Sequence, residues 1–194
     1  IFSAQTMPIL VAAIHAHNTY GADIIMRILG DMHRVLGAAS YSSLGLGASA
    51  KTTEVRANAA EALASLVDRG MFDTALFAKE LYWLLNQHHV MAQRIEQTFR
   101  DAASISPLAG WRIMQVLEGI LPAVGEVNRG GTLVQLLAQL AGEYGVSIEI
   151  PEVLRPKMKG STVLAKSLRA LEKLQPHPTE LAEQARDQAQ ELLD

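Results

Sequence analysis

The sequence predicts an all-α fold, an irregular stack of antiparallel helix pairs, and three observations carry that expectation. Apolar residues recur at helical spacing along almost the whole chain. Ala and Leu are abundant while aromatics make up only 5%, which favours helix because these side chains lose little rotamer freedom there. Gly, Pro, Ser and Asp punctuate the apolar stripes where helices would begin and end.

Taken in order, the stripes place about nine helices, near residues 7–18, 22–37, 52–69, 74–87, 90–104, 107–124, 131–145, 161–174 and 178–193. The second follows Ile25, Ile28, Leu29, Met32, Val35 and Leu36, and the third Val55, Ala59, Ala62, Leu63, Leu66 and Val67. Phe77, Leu81, Leu84 and Leu85 define the fourth, which Asp73 is placed to cap after Gly70. Ser106-Pro107 combines an N-cap with a proline at the first helical position, a strong start for the helix carrying Ile113, Leu117, Ile120, Leu121 and Val124. Asn128-Arg129-Gly130-Gly131 forms a turn, and Gly145 ends the next helix in a left-handed cap. That helix is apolar on more than one face from Leu133 to Ala141, so it needs cover on two sides. Val146 to Ile150 alternates like a strand but has no partner strand to pair with.

We expect two units, a helical-pair domain over 1–175 and a polar capping helix over 176–194 set off by Pro176 and Pro178. The cap carries Glu180, Glu183, Arg186, Asp187 and Glu191 around a thin stripe of Leu181, Ala185 and Leu192. The chain opens on Ile1 without an initiator Met, and we expect a piece of a longer protein.

Composition narrows the function classes. With 49% hydrophobic and 19% charged residues the chain has the balance of a folded domain, and its net charge of −3 gives no global attraction to nucleic acid or an anionic membrane. There is no cysteine, which excludes disulfides, thiolate metal sites and Cys nucleophiles. The apolar run Pro8–Ile14 ends at His15, too short to span a bilayer, and no basic region precedes it. The expected location is the cytoplasm.

The segment Ala59–Val67 running into Gly70 and Asp73 resembles the helix-turn-helix of HEAT-like repeats. Trp111 through Val124, then Leu133 to Gly145, then Gly160 to Leu174, is similar to the C-terminal part of large, uncharacterised bacterial repeat proteins of actinobacterial type. The similarity spans roughly residues 52–174 and rests on pattern. It implies a HEAT-like α-solenoid and transfers no activity to any residue.

Chemistry-bearing motifs are few. Gly45-Leu-Gly-Ala-Ser-Ala-Lys51-Thr52 approaches a phosphate-binding loop, but Ala50 replaces the second Gly and no strand precedes it. We expect a flexible surface loop with Thr52 as a helix cap, leaving Lys51 and Thr52 as a weak anion site. His15 and His17 would point about 200° apart on a helix and cannot chelate one ion. His88-His89 have no acidic residue within a turn, so no metal and no cofactor is expected. Glu61 and Asp68 share a helix face, but the neighbouring Arg56 and Arg69 suggest a solvated surface. No catalytic residue is assigned.

One charge anomaly remains. Arg155, Lys157, Lys159, Lys166, Arg169 and Lys173 place six of the 17 basic residues within 19 positions, opposed only by Glu172. The last three share a helix face, which we expect to be a solvated outer face; the functional alternative is a patch for an acidic partner. The sequence thus points to a non-catalytic scaffold domain whose partner is another protein. A nucleic-acid module using residues 155–173 comes second, weakened by the lack of stacking aromatics there. An enzyme with a dispersed site comes third.

Overall fold

The computed structural model describes residues 41–42, 44–68, 72–87 and 89–193. Among them every regular element is helical and none is a strand. The expected helices at 7–18 and 22–37, His15, His17, Gly70 and His88 lie outside the described residues.

After a helical stretch at 41, 42 and 44–48 come α1 (Thr53–Asp68), α2 (Thr74–Gln87), α3 (His89–Ala103) and α4 (Pro107–Val124). A 3-10 turn at Asn128–Gly130 leads into α5 (Gly131–Glu143), and a second at Glu152–Met158 precedes α6 (Val163–Glu172) and α7 (Glu180–Glu191). The caps lie where side chains offer an oxygen to orphan backbone donors. Asp73 Oδ1 accepts from the amides of Ala75 and Leu76 at 3.0 Å each, and Ser106 Oγ from Ala109 N–H at 3.0 Å. Thr162 and Thr179 do the same for α6 and α7. Gly145 has φ +65°, and the Val146 amide reaches back to the Ala141 carbonyl, closing α5 with the left-handed turn that a glycine favours.

Two expectations are corrected. The segment around Gly45 and Gly47 is no flexible surface loop but buried helix, because Leu44, Ala48 and Ala50 sink into the core. Thr98 Oγ1 donates to the Ala48 carbonyl at 2.9 Å, tying it to α3. The last helix is shorter than the expected 178–193: it runs over Glu180–Glu191, and Leu192 of its thin stripe lies just past the end, 68% exposed. Residues 146–150 form no regular element but keep the alternation the sequence shows, with Ile148 and Ile150 buried and Ser147 and Glu149 outward.

The core gathers around α4. Ile113, Met114, Val116, Leu117, Ile120 and Leu121 are buried on several sides of that helix, which therefore needs several neighbours. It packs on α1, α2, α3, α5 and α7. Helix α5, apolar on two faces as its sequence demands, lies against α3, α4 and α6. Helices α1 and α2 pack chiefly on α3 and α4 rather than on each other. Tyr41, Phe72, Phe77 and Phe99 form an aromatic chain, with Tyr41 edge-on to Phe72 at 5.3 Å and Phe77 stacked on Phe99 at 5.9 Å. Tyr41 Oη also accepts from the Asp73 amide at 2.6 Å, so the 41–48 helix and the entry to α2 are held together. At the other end, α7 rests on α4 through Ala185, which belongs to the same apolar cluster.

Candidate functional site

The expected basic face is only half available. Arg155 Nε pairs with Glu152 Oε1 at 2.7 Å and its Nη1 with Glu172 at 3.5 Å. Lys157 Nζ donates to the Glu126 carbonyl, fastening the second 3-10 turn to the end of α4. Arg169 Nη1 donates to the carbonyls of Met158 and Gly160, at 3.0 Å for the latter. These three cations satisfy backbone and carboxylate oxygens of their own fold. The side chains of Lys159, Lys166 and Lys173 are exposed and make no hydrogen bond or ion pair among the described residues. Of the three, Lys166 lines a described concavity, a shallow cleft of about 270 Å³ between α5 and α6 with Ala138, Val163 and Ala170.

Lys51 and Thr52 sit just ahead of α1, where Arg56 Nη1 donates to the Ala50 and Lys51 carbonyls at 2.7 Å each. The guanidinium already organises this turn, and no cavity opens there among those described. Among the described residues no three His, Asp or Glu side chains converge on a metal position, and no helix is long and apolar enough to cross a membrane.

One cavity of about 330 Å³ lies where α3 meets α5 and α7. Its charges are spent internally: Arg100 donates to Glu96 Oε1 at 2.6 and 2.9 Å and to Gln139 Oε1 at 2.8 Å, and Gln139 Nε2 donates to Glu143 at 2.8 Å. Tyr144 Oη, at its edge, donates to the Pro107 carbonyl at 2.6 Å. Burial, and then the Glu143 carboxylate beside it, push this phenol up to about 12, against a lowering backbone hydrogen bond with Trp111. A phenol so held stays protonated at neutral pH and is no general base.

A more suggestive site runs along the outer face of α4. A cavity of about 320 Å³ is bounded by Trp111, Arg112 and Gln115 of α4 and by Ala182, Arg186 and Ala189 of α7. A neighbouring one of about 250 Å³ shares Arg112 and Gln115 and continues to Val67, Phe72 and Thr74 at the α1–α2 corner. Together they make a groove with apolar walls and two guanidiniums. Trp111 is held edge-on against Tyr144 at 5.7 Å, so its indole is positioned before any ligand arrives.

None of these groove residues was singled out from the sequence. The signal was present in two places: Leu108, Trp111, Arg112 and Gln115 follow helical spacing as a second stripe on α4, and Arg186 is the one base of α7, with Ala182, Ala185 and Ala189 beside it. What the sequence does not supply is that these stripes, some 70 positions apart, face each other.

No family model, curated protein or solved structure matches the chain.

Proposed function

We propose that the chain is a non-catalytic, protein-binding helical domain that uses the groove along α4 as its binding face. The single observation that carries this reading is the groove itself, open and apolar-walled, with a pre-positioned Trp and two Arg side chains, residue types that dominate binding energy at protein interfaces. The charged groups of the other deep cavity are paired with one another, which leaves nothing there aimed at a reacting atom.

A stacked, HEAT-like arrangement of helix pairs belongs to the same proposal. In its support, α1 packs on α3, α2 on α4 and α3 on α5, each two elements apart, as layers of stacked hairpins do. The departure from a regular stack is α4, which also meets α1 and α7 and so presents the groove between them.

Site-specific photo-crosslinking in cells tests the binding face. A benzophenone side chain at Gln115, exposed on the groove, is expected to trap one discrete partner protein. The same group at Gln184, exposed elsewhere on α7, is expected not to. Equal labelling from both positions, or none from Gln115, sinks the reading.

A further inference from the structure

Beyond the groove, we infer that the cleft between α5 and α6 docks a second copy of this chain, through the acidic outer face of its α7 and the leucine pair that follows. The cleft side is built by α6. Val163, Lys166, Ala170 and Lys173 recur at spacings of three and four, which sets them on one helix face, and all four are exposed. Val163, Ala170 and Ala138 give the cleft apolar walls, with Lys166 beside them. The Ser167 hydroxyl there is spent on the Val163 carbonyl at 2.8 Å, so an apolar group entering leaves no polar partner stranded. At about 270 Å³ the cleft is smaller and shallower than a small-molecule pocket, which starts near about 300 Å³. It suits aliphatic side chains offered by another protein surface.

Helix α7 carries the counterpart. Leu192 and Leu193, just past its last turn, are 68% and 81% exposed, the most exposed large apolar side chains among the described residues. Glu183, Asp187 and Glu191 lead up to them on the exposed side, and their carboxylates make no hydrogen bond or ion pair among the described residues. The spacings match. At the helical rise, Glu183 to Glu191 spans about 12 Å and Lys166 to Lys173 about 10 Å. An antiparallel crossing sets Glu191 opposite Lys166 and Glu183 opposite Lys173, and it brings the leucines to Val163 at the start of α6. Within one molecule α7 is docked on α4 with these groups turned outward, so the contact is one between copies. Exposed ion pairs contribute little each, so the association is transient and weakens with salt.

Sedimentation velocity of the whole chain, from micromolar to millimolar concentration, tests this. The mean sedimentation coefficient is expected to rise with concentration and to fall back as salt is added. Lys166→Glu with Lys173→Glu should leave the chain monomeric, and so should Glu183→Lys with Glu191→Lys. An equimolar mixture of the two variants should associate again, because each offers the charge that the other has lost, a recovery that no folding defect imitates. Leu192→Ser with Leu193→Ser should weaken association about tenfold while the denaturation midpoint stays in place.

A chain that stays monomeric throughout overturns the proposal. So does association that survives both charge reversals, or a mixture that fails to recover it. Association lost with the lysine pair but kept with the glutamate pair puts another part of the second copy in the cleft and overturns the role of α7. Association unaffected by the cleft variants but abolished by Gln115→Lys seats the second copy in the α4 groove and overturns the cleft.

Discussion

Tyr144 shows how one side chain can report on the fold around it. Its hydroxyl occupies space that exists because residue 110 is glycine: a Cβ there would lie 2.2 Å from Tyr144 Oη. The hydroxyl donates to the first turn of α4, and the ring holds Trp111, so α5, α4 and the groove meet at one residue. Because the folded chain binds this proton more tightly than an unfolded one, whose phenol titrates near 10, the contribution to stability is complete below pH 10 and is lost as pH rises towards 12. Ultraviolet titration should therefore show one of the four tyrosines ionising late. Tyr144→Phe should remove that late step, cost about 1 kcal/mol for the lost hydrogen bond, and flatten the alkaline fall in stability. Superimposable titration curves for the two proteins would refute the assignment.

At the scale of elements, the balance between α4 and α7 decides whether a groove exists at all. Helix α7 has only one fully buried side chain, Ala185, and a methyl group contributes little burial energy by itself. Its docking depends on close approach of small residues, helped by the Gln188 bond to the Leu108 amide. Ala185→Glu places a charge in that contact and should cost about 1–3 kcal/mol. Hydrogen exchange should then show α7 and the Leu108 amide losing protection while α5 and α6 keep theirs, with groove binding lost together with its wall. Unchanged protection in α7 would mean that the helix is held by something other than this stripe. The ends of most elements were legible in advance, because caps such as Asp73 and Ser106 act on amides two or three residues away. The 3-10 turn at Glu152–Met158 was not, since Leu154 is drawn into the core against Gly125 by contacts distant in sequence.

For the molecule as a whole, α4 carries the load that composition alone leaves unassigned. Leu117 is 1% exposed, on the helix that five others cover. Leu117→Ala should cost about 3–5 kcal/mol, because neighbours on several sides cannot all close the cavity. Leu192→Ala, at 68% exposure, should fall within about 0.5 kcal/mol of the parent. Denaturant unfolding measures both, and comparable losses would mean that the core is not centred on α4.

The sequence by itself determined the class of structure and most of its segmentation, since apolar periodicity and capping are local and depend on residues within a turn of each other. It also located the basic cluster, whose existence is a matter of counting. Which of those cations are free was decided by the tertiary structure: Arg155, Lys157 and Arg169 turn to oxygens of their own fold, while Lys159, Lys166 and Lys173 do not. The same holds for the groove. Arg112 and Arg186 are visible as letters, but their convergence depends on α7 crossing to α4, a contact made by packing between distant stretches of chain that no local pattern encodes.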